Sequence, residues 1–446
     1  HVHSYTTCRL ARPRELPQMR PWIPPFFALL TCLTPNAHAL LTIEISKEIA
    51  ALKPLAVLPF ADNEAGENIA SIVRNDLSRG GLLKITAEND LPLGLSLSGP
   101  VNDEAWQALP GDLLLRGTQA RTADGKYTFS YELRRRDEAA PIIAERFTVG
   151  SQRWRDAGHY ISDRVFEKLT GEKGIFSTRI AYINTYERDG NKRYRLELSD
   201  IDGARRTRLL DSNEPLMSAT WAPDGTKVAY VSFETGQSQI FMQNLMTRER
   251  KQLTDFSGIN GSPSWSPDGK RMLMSLSRDG NAEIYVMDLD TSELTRLTDN
   301  PAIDTEPRWL NGNEQLLFTS DRGGKPQLYR MNLASRETKR LTFEGRFNAK
   351  AAPSPNGRYV AMVHDSGDNR YRLAVRDLNL NTTDILTENG LDDSPSFAPD
   401  NRLVVYGTRQ GGGYGLRIQT IDGKIQWRIP SQQGEIKSPA WSPLLR

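Results

Sequence analysis

WAPDG (221–225), WSPDG (265–269), WLNGN (309–313), PSPNG (353–357), FAPDN (397–401) and a terminal WSP (441–443) recur at a constant interval of 44 residues. A fixed period of about 40–50 residues marks one supersecondary unit copied in tandem, at the size of a β-propeller blade. One copy shows the unit. Residues 262–266 read as a short strand carrying Trp265, and Ser266-Pro267-Asp268-Gly269 as a tight turn. In that turn Pro267 presets φ, Asp268 suits the second central position and Gly269 can take positive φ. Residues 271–277 place Met272, Met274 and Leu276 on one face at period two, 283–289 read as a third strand and 294–298 as a fourth. Four antiparallel strands joined by turns make a blade.

The count predicts a closed ring. Trp441 opens a sixth unit whose remaining strands are missing downstream, whereas residues 179–184, 194–199 and 207–210 read as strands ahead of the first anchor, Trp221. The last strand is therefore expected to complete a blade begun near residue 178, which leaves no exposed sheet edge. The expected fold is a small N-terminal mixed α/β domain followed by an all-β six-bladed propeller over residues 178–446.

The sequence ahead of the repeats differs in kind. Residues 19–39 read as an export signal, with Arg20, an apolar core at 25–33 and Ala37-His38-Ala39 as the cleavage site. Residues 1–18 are expected to be an upstream, non-native extension. The apolar core is too short to cross a membrane, so no membrane insertion of the mature chain is expected. Cys8 and Cys32 both precede the cut, so the mature chain would carry no cysteine and no disulfide. Thr31 is a poor residue before a lipidated Cys32. Removing Arg9, Arg12, Arg14, Arg20 and Glu15 leaves 53 basic against 54 acidic residues, a balance that implies no nucleic-acid partner. Residues 40–170 lack the period and are expected to form the α/β domain, with an arm at 40–52 and a linker at 171–177. Within it, 66–79, 104–109 and 152–169 read as helices, and 54–60, 82–86, 113–121, 127–136 and 142–149 as strands.

No catalytic set emerges. Past the cut the histidines are His159 and His364, and no G-x-S-x-G elbow, H-E-x-x-H or phosphate-binding glycine motif occurs. Gly411-Gly412-Gly413 lies between strands of one blade and reads as a loop. The Asp pairs Asp200/Asp202 and Asp288/Asp290 lack the distal Glu of a calcium loop. No enzyme, cofactor or metal is expected. A propeller attached to a hydrolase would need a further domain, and a sugar- or peptidoglycan-binding propeller is the alternative binding function.

Beside these patterns stand ordered local phrases: VFEKLTG (165–171), TRIAY (178–182), EPLMS (214–218), TEP (305–307), FTSD (318–321) and PAWSP (439–443). With the signal, the small domain and the six repeats, the chain from about residue 40 resembles the TolB family of periplasmic Tol-Pal components. That resemblance implies a non-catalytic adaptor supporting outer-membrane invagination during division. The implied partners are the lipoprotein Pal, the inner-membrane protein TolA, and possible contacts with other outer-membrane proteins and colicins. It places Pal on the mouth where loops enter the inner strands, with Ile259, Asn260, Ser262, Thr305, Glu306, Phe347 and Asp392 as expected contacts. Ile259 and Ser262 depart from the His and Ala of the enterobacterial pattern. It places TolA on the arm, through Leu41, Thr42, Ile43, Glu44 and Ile45, whose alternation suits addition to a sheet edge.

Overall fold

The computed structural model describes residues 53–62, 68–95, 103–310, 312–388, 390–410 and 413–445. The arm, the export signal, the first 18 residues and part of the Gly411–Gly413 loop lie outside the described residues. Everything described belongs to one compact unit, Glu44–Arg446.

The N-terminal part is a mixed sheet with strand order Leu83–Ile85, Lys53–Val57, Leu113–Arg121, Tyr127–Arg135, Ile143–Val149. Lys53–Val57 runs parallel to both neighbours, and the last three strands are antiparallel. Helices α1 (Ile69–Arg79) and α3 (Trp154–Thr170) bury Ile69, Val73, Leu77, Ile161 and Val165 against one face. Helix α2 (Asp103–Gln107) and the residues after it seat Trp106 and Leu109 on the other, against Ala56, Leu58 and Leu114. Helix α1 begins three residues later than its apolar spacing alone suggests, because Asn68 caps it by accepting from Ala70 N at 3.1 Å. Helix α3 ends where Gly171 turns left-handed at φ 77° and donates to Glu167 O.

The rest is a ring of six four-stranded blades. The inner strands are Leu216–Trp221, Asn260–Trp265, Asp304–Leu310, Phe347–Pro353, Asp392–Phe397 and Glu435–Trp441. The last pairs antiparallel with Arg179–Arg188, matching Trp441 to Ile180 and Ile436 to Asn184. The ring is thus closed by the C-terminal strand, as the repeat count requires. Trp441 Nε1 donates to Thr178 Oγ1 at 2.8 Å, and Ser442 and Arg179 exchange hydrogen bonds at 2.8 and 2.9 Å. The anchor tryptophans are buried between blades: Trp221 Nε1 reaches Ala440 O (3.0 Å) and Trp309 Nε1 reaches Ser264 O (3.2 Å). The turns after Trp221, Trp265, Pro353 and Phe397 are locked by their own side chains. Asp268 Oδ1 accepts from Lys270 N, Ser266 Oγ accepts from Arg271 N, and Gly269 takes φ 73°.

The α/β part rests on one end of this ring. Leu77, Phe166 and Ile175 share a continuous core with Ile201, Ala398, Leu403 and Ile429. Gly81 backs onto Ile425, and Arg402 Nη1 donates to Gly80 O. These propeller residues sit at or beside the turns that follow the first and third strands of a blade. Because successive strands are antiparallel, the loops that enter the inner strands lie at the opposite end.

Candidate functional site at the propeller mouth

The entry loops converge where each inner strand begins, and convergence of loops on a rigid ring is how such folds build binding surfaces. The same 44-residue register places Pro215, Ile259, Ile303, Phe347, Leu391 and Glu435 at the entry position. Ile259 is 55% exposed, Ile303 52% and Leu391 39%, while Phe347 is half-buried against Tyr371. Aliphatic side chains left in water at one repeat position form an apolar arc at the mouth.

The residue after each of these is buried and polar in four blades: Asn260, Asp304, Asn348 and Asp392. Asn260 Nδ2 donates to Phe256 O (2.6 Å) and Gly258 O (3.2 Å). Asn348 Nδ2 reaches Glu344 O and Gln327 Oε1, and its Oδ1 meets His364 Nδ1 at 2.8 Å. Asp304 accepts from Arg322 (2.6 Å), and Asp392 from Leu373 N (3.2 Å). These clasps tie each entry loop to the blade and hold the preceding apolar residue outward. Burial holds the His364 pKa below its ordinary value, although Asp365 opposes this, so the ring supports Asn348 as a neutral imidazole.

Two residues further along, every inner strand carries a bulge. Ser218, Ser262, Glu306, Lys350, Ser394 and Ser438 adopt φ between 50° and 56°, and the ladder register slips at each. Left-handed backbone costs a non-glycine residue about 1–2 kcal/mol. In four copies the next residue is proline (Pro263, Pro307, Pro395, Pro439), which brings no N–H needing a ladder partner. Glu306 Oε2 accepts from Thr319 Oγ1 (2.9 Å) and from Lys350 N on the next inner strand (3.0 Å). Thr305 Oγ1 lies 3.3 Å from Ser275 Oγ, and Lys350 pairs with Asp393.

Of the contacts expected from sequence, Ile259 is therefore outward, Ser262, Thr305, Glu306 and Phe347 are partly exposed, and Asn260 and Asp392 are 0% and 4% exposed. The five arm residues Leu41 to Ile45 lie outside the described residues. Ile303 and Leu391 were not named as contacts from sequence, yet they share the register of Ile259. Among the described residues no cluster of three or more His, Cys, Asp or Glu is placed to hold a metal ion. No helix among them is long and apolar enough to cross a membrane.

A profile described as the TolB beta propeller domain matches residues 166–445, and one described as the TolB amino-terminal domain matches 41–134. The chain belongs to the TolB family. It is 50% identical over 418 residues to the Tol-Pal system protein TolB of Hydrogenovibrio crunogenus, covering 92% of this chain and 96% of the relative. The Acinetobacter baylyi TolB is 47% identical over 421 residues, covering 94% and 98%. A crystal structure of TolB from Acinetobacter baumannii superposes with a TM-score of 0.81 at 40% identity, covering 88% of this chain and 97% of that one. Membership in this family makes the chain a component of the Tol-Pal envelope system.

Proposed function

We propose that the chain is a non-catalytic periplasmic adaptor that binds Pal at the propeller mouth and TolA through the arm at 40–52. In this reading it supports outer-membrane invagination and envelope integrity. The observation that carries the mouth assignment is the arc of outward aliphatic side chains. It sits on a closed, rigid ring at the end away from the α/β part, in a family whose members are Tol-Pal proteins. Ile259, Ser262, Thr305, Glu306 and Phe347 carry contacts, joined by Ile303 and Leu391. Asn260 and Asp392 act from behind by fixing the loops. An interface of this kind buries about 1,600 Å². Calorimetry of the mature chain with Pal from the same organism tests it, with micromolar or tighter binding expected. No heat and no competition would remove Pal as the partner. A pull-down from envelope extract, with and without residues 40–52, tests the arm: TolA is captured only when the arm is present.

A further inference from the structure

We propose that the central channel of the propeller binds a small oxyanion, a carboxylate, phosphate or sulfate, through the guanidinium of Arg308. This goes beyond the adaptor reading and does not depend on it. Arg308 lies on the inner strand Asp304–Leu310, opposite Leu317 in the ladder. Its repeat equivalents are Thr220, Ser264, Ala352, Ser396 and Ala440, all small. At the equivalent site Ser396 Oγ accepts from Trp441 N on the neighbouring inner strand at 3.0 Å, so the position lies where adjacent inner strands meet, and the longer Arg308 side chain keeps partial access to solvent there. Five small side chains and one arginine at this level leave room beside a single fixed cation. Arg308 stands four residues beyond Asp304, at about 3.3 Å per residue roughly 13 Å in from the mouth, so the space suits a small ligand.

The guanidinium has five donors arranged to grip a carboxylate or phosphate in a fork. Its one hydrogen bond within the chain runs from Nη1 to the adjacent Pro307 O at 3.0 Å. Among the described residues it joins no ion pair, whereas Arg296 has Glu283, Arg322 has Asp304 and Arg358 has Asp377. The nearest acidic neighbour, Glu306, already accepts from Thr319 and Lys350 N. Burial lowers the Arg308 pKa, and Glu306 offsets this only in part. The side chain keeps partial access to solvent, so a bound oxyanion replaces water there and pairs a charge that Glu306 balances only in part. Ser264 on the adjacent strand, and the Ser396 hydroxyl, whose hydrogen is left free by accepting from Trp441, stand at the same level as further donors.

Thermal unfolding of the mature chain in phosphate, sulfate or acetate, each replacing chloride at constant ionic strength, tests the site. A saturable rise of about 2 °C at millimolar anion is expected for the wild type. It should be lost in Arg308→Gln and partly kept in Arg308→Lys, and the most effective anion identifies the ligand class. Crystals of the wild-type chain soaked in selenate supply a second reading, an anomalous peak against the Arg308 side chain. Equal responses in wild type and Arg308→Gln overturn the proposal. So does a response that rises without saturation, or selenate found only elsewhere.

Discussion

His159 Nε2 lies 3.3 Å from Asp200 Oδ2, joining helix α3 to the sixth blade through a contact with almost no access to solvent. The other ring nitrogen, Nδ1, lies 2.7 Å from Asp76 Oδ2 on α1. Arg205 grips Asp200 through two bonds at 2.8 and 2.9 Å, while Arg155 reaches Asp200 and Asp202. Arg179 and Arg79 stand at 3.7 and 3.8 Å from Asp200 and Asp76. Burial alone would push the imidazole pKa down, but the two carboxylates outweigh it and raise it to about 10. Burial likewise opposes ionisation of Asp200, yet His159 and Arg205 hold it well below the usual carboxylate range.

The sign of the pH dependence follows. His159 binds its proton more tightly folded than unfolded, so its contribution is complete below about pH 6.5 and is lost as pH rises through about 10. Asp200 contributes above the ordinary carboxylate pKa, and that contribution falls away in acid. Urea unfolding of His159→Leu at pH 7 should show a loss of about 3–5 kcal/mol, since it leaves buried Asp76 with Arg79 at 3.8 Å as its remaining ion-pair partner and removes one partner of Asp200. The variant should also lose less stability than the wild type between pH 7 and 10. Parallel pH profiles would mean that His159 is neutral in the folded protein.

The mouth separates contact from support within two adjacent residues. Ile259→Asp should abolish Pal binding and leave the melting temperature unchanged. Asn260→Ala should cost about 1–3 kcal/mol of stability, because the carbonyls of Phe256 and Gly258 lose their donor. Paired calorimetry and thermal melts read both, and a stable Ile259→Asp protein that still binds Pal would place that interface elsewhere.

The six bulges predict a graded response to side-chain shape. Ser438 sits at φ 51°, a conformation that β-branched residues resist. Ser438→Val should destabilise by about 1–2 kcal/mol, and Ser438→Gly should not destabilise, measured by denaturant midpoint at constant slope.

Ring closure concentrates stability in one side chain. Trp441 is buried between the fifth and sixth blades and bonded to Thr178. Trp441→Ala should cost about 3–5 kcal/mol. Hydrogen exchange should then show the strands at 179–212 opening before the other blades.

The sequence carried most of this architecture because its anchors do one physical job each. Trp221, Trp265, Trp309, Phe397 and Trp441 fill the gaps between blades, and Pro353 holds the same place in the fourth. The closing partner of Trp441 followed from counting. The bulges were also written there, in the proline two residues before Trp265, Trp309, Phe397 and Trp441, but a lone proline in a strand gives no φ for its neighbour. Contact residues were harder to read. Ile259 and Asn260 are adjacent, and alternation in a strand says that they face opposite ways without saying which way is out. The pairing of His159 is not legible in the sequence because Asp76 and Asp200 lie 83 and 41 residues from it in the chain, and only the folded junction brings them together.

The bond between Arg179 and Ser442 spans 263 residues of chain. Closure must therefore bring together two strands separated by almost the whole propeller, a loop-closure cost met before the pairing that offsets it. Until that pairing forms, the strand Arg179–Arg188 offers a bare edge to any extended polypeptide nearby. Copies whose ring is still open are therefore the ones most vulnerable to cross-pairing. A chaperone that shields one strand, at 179–188, would protect the entire toroid.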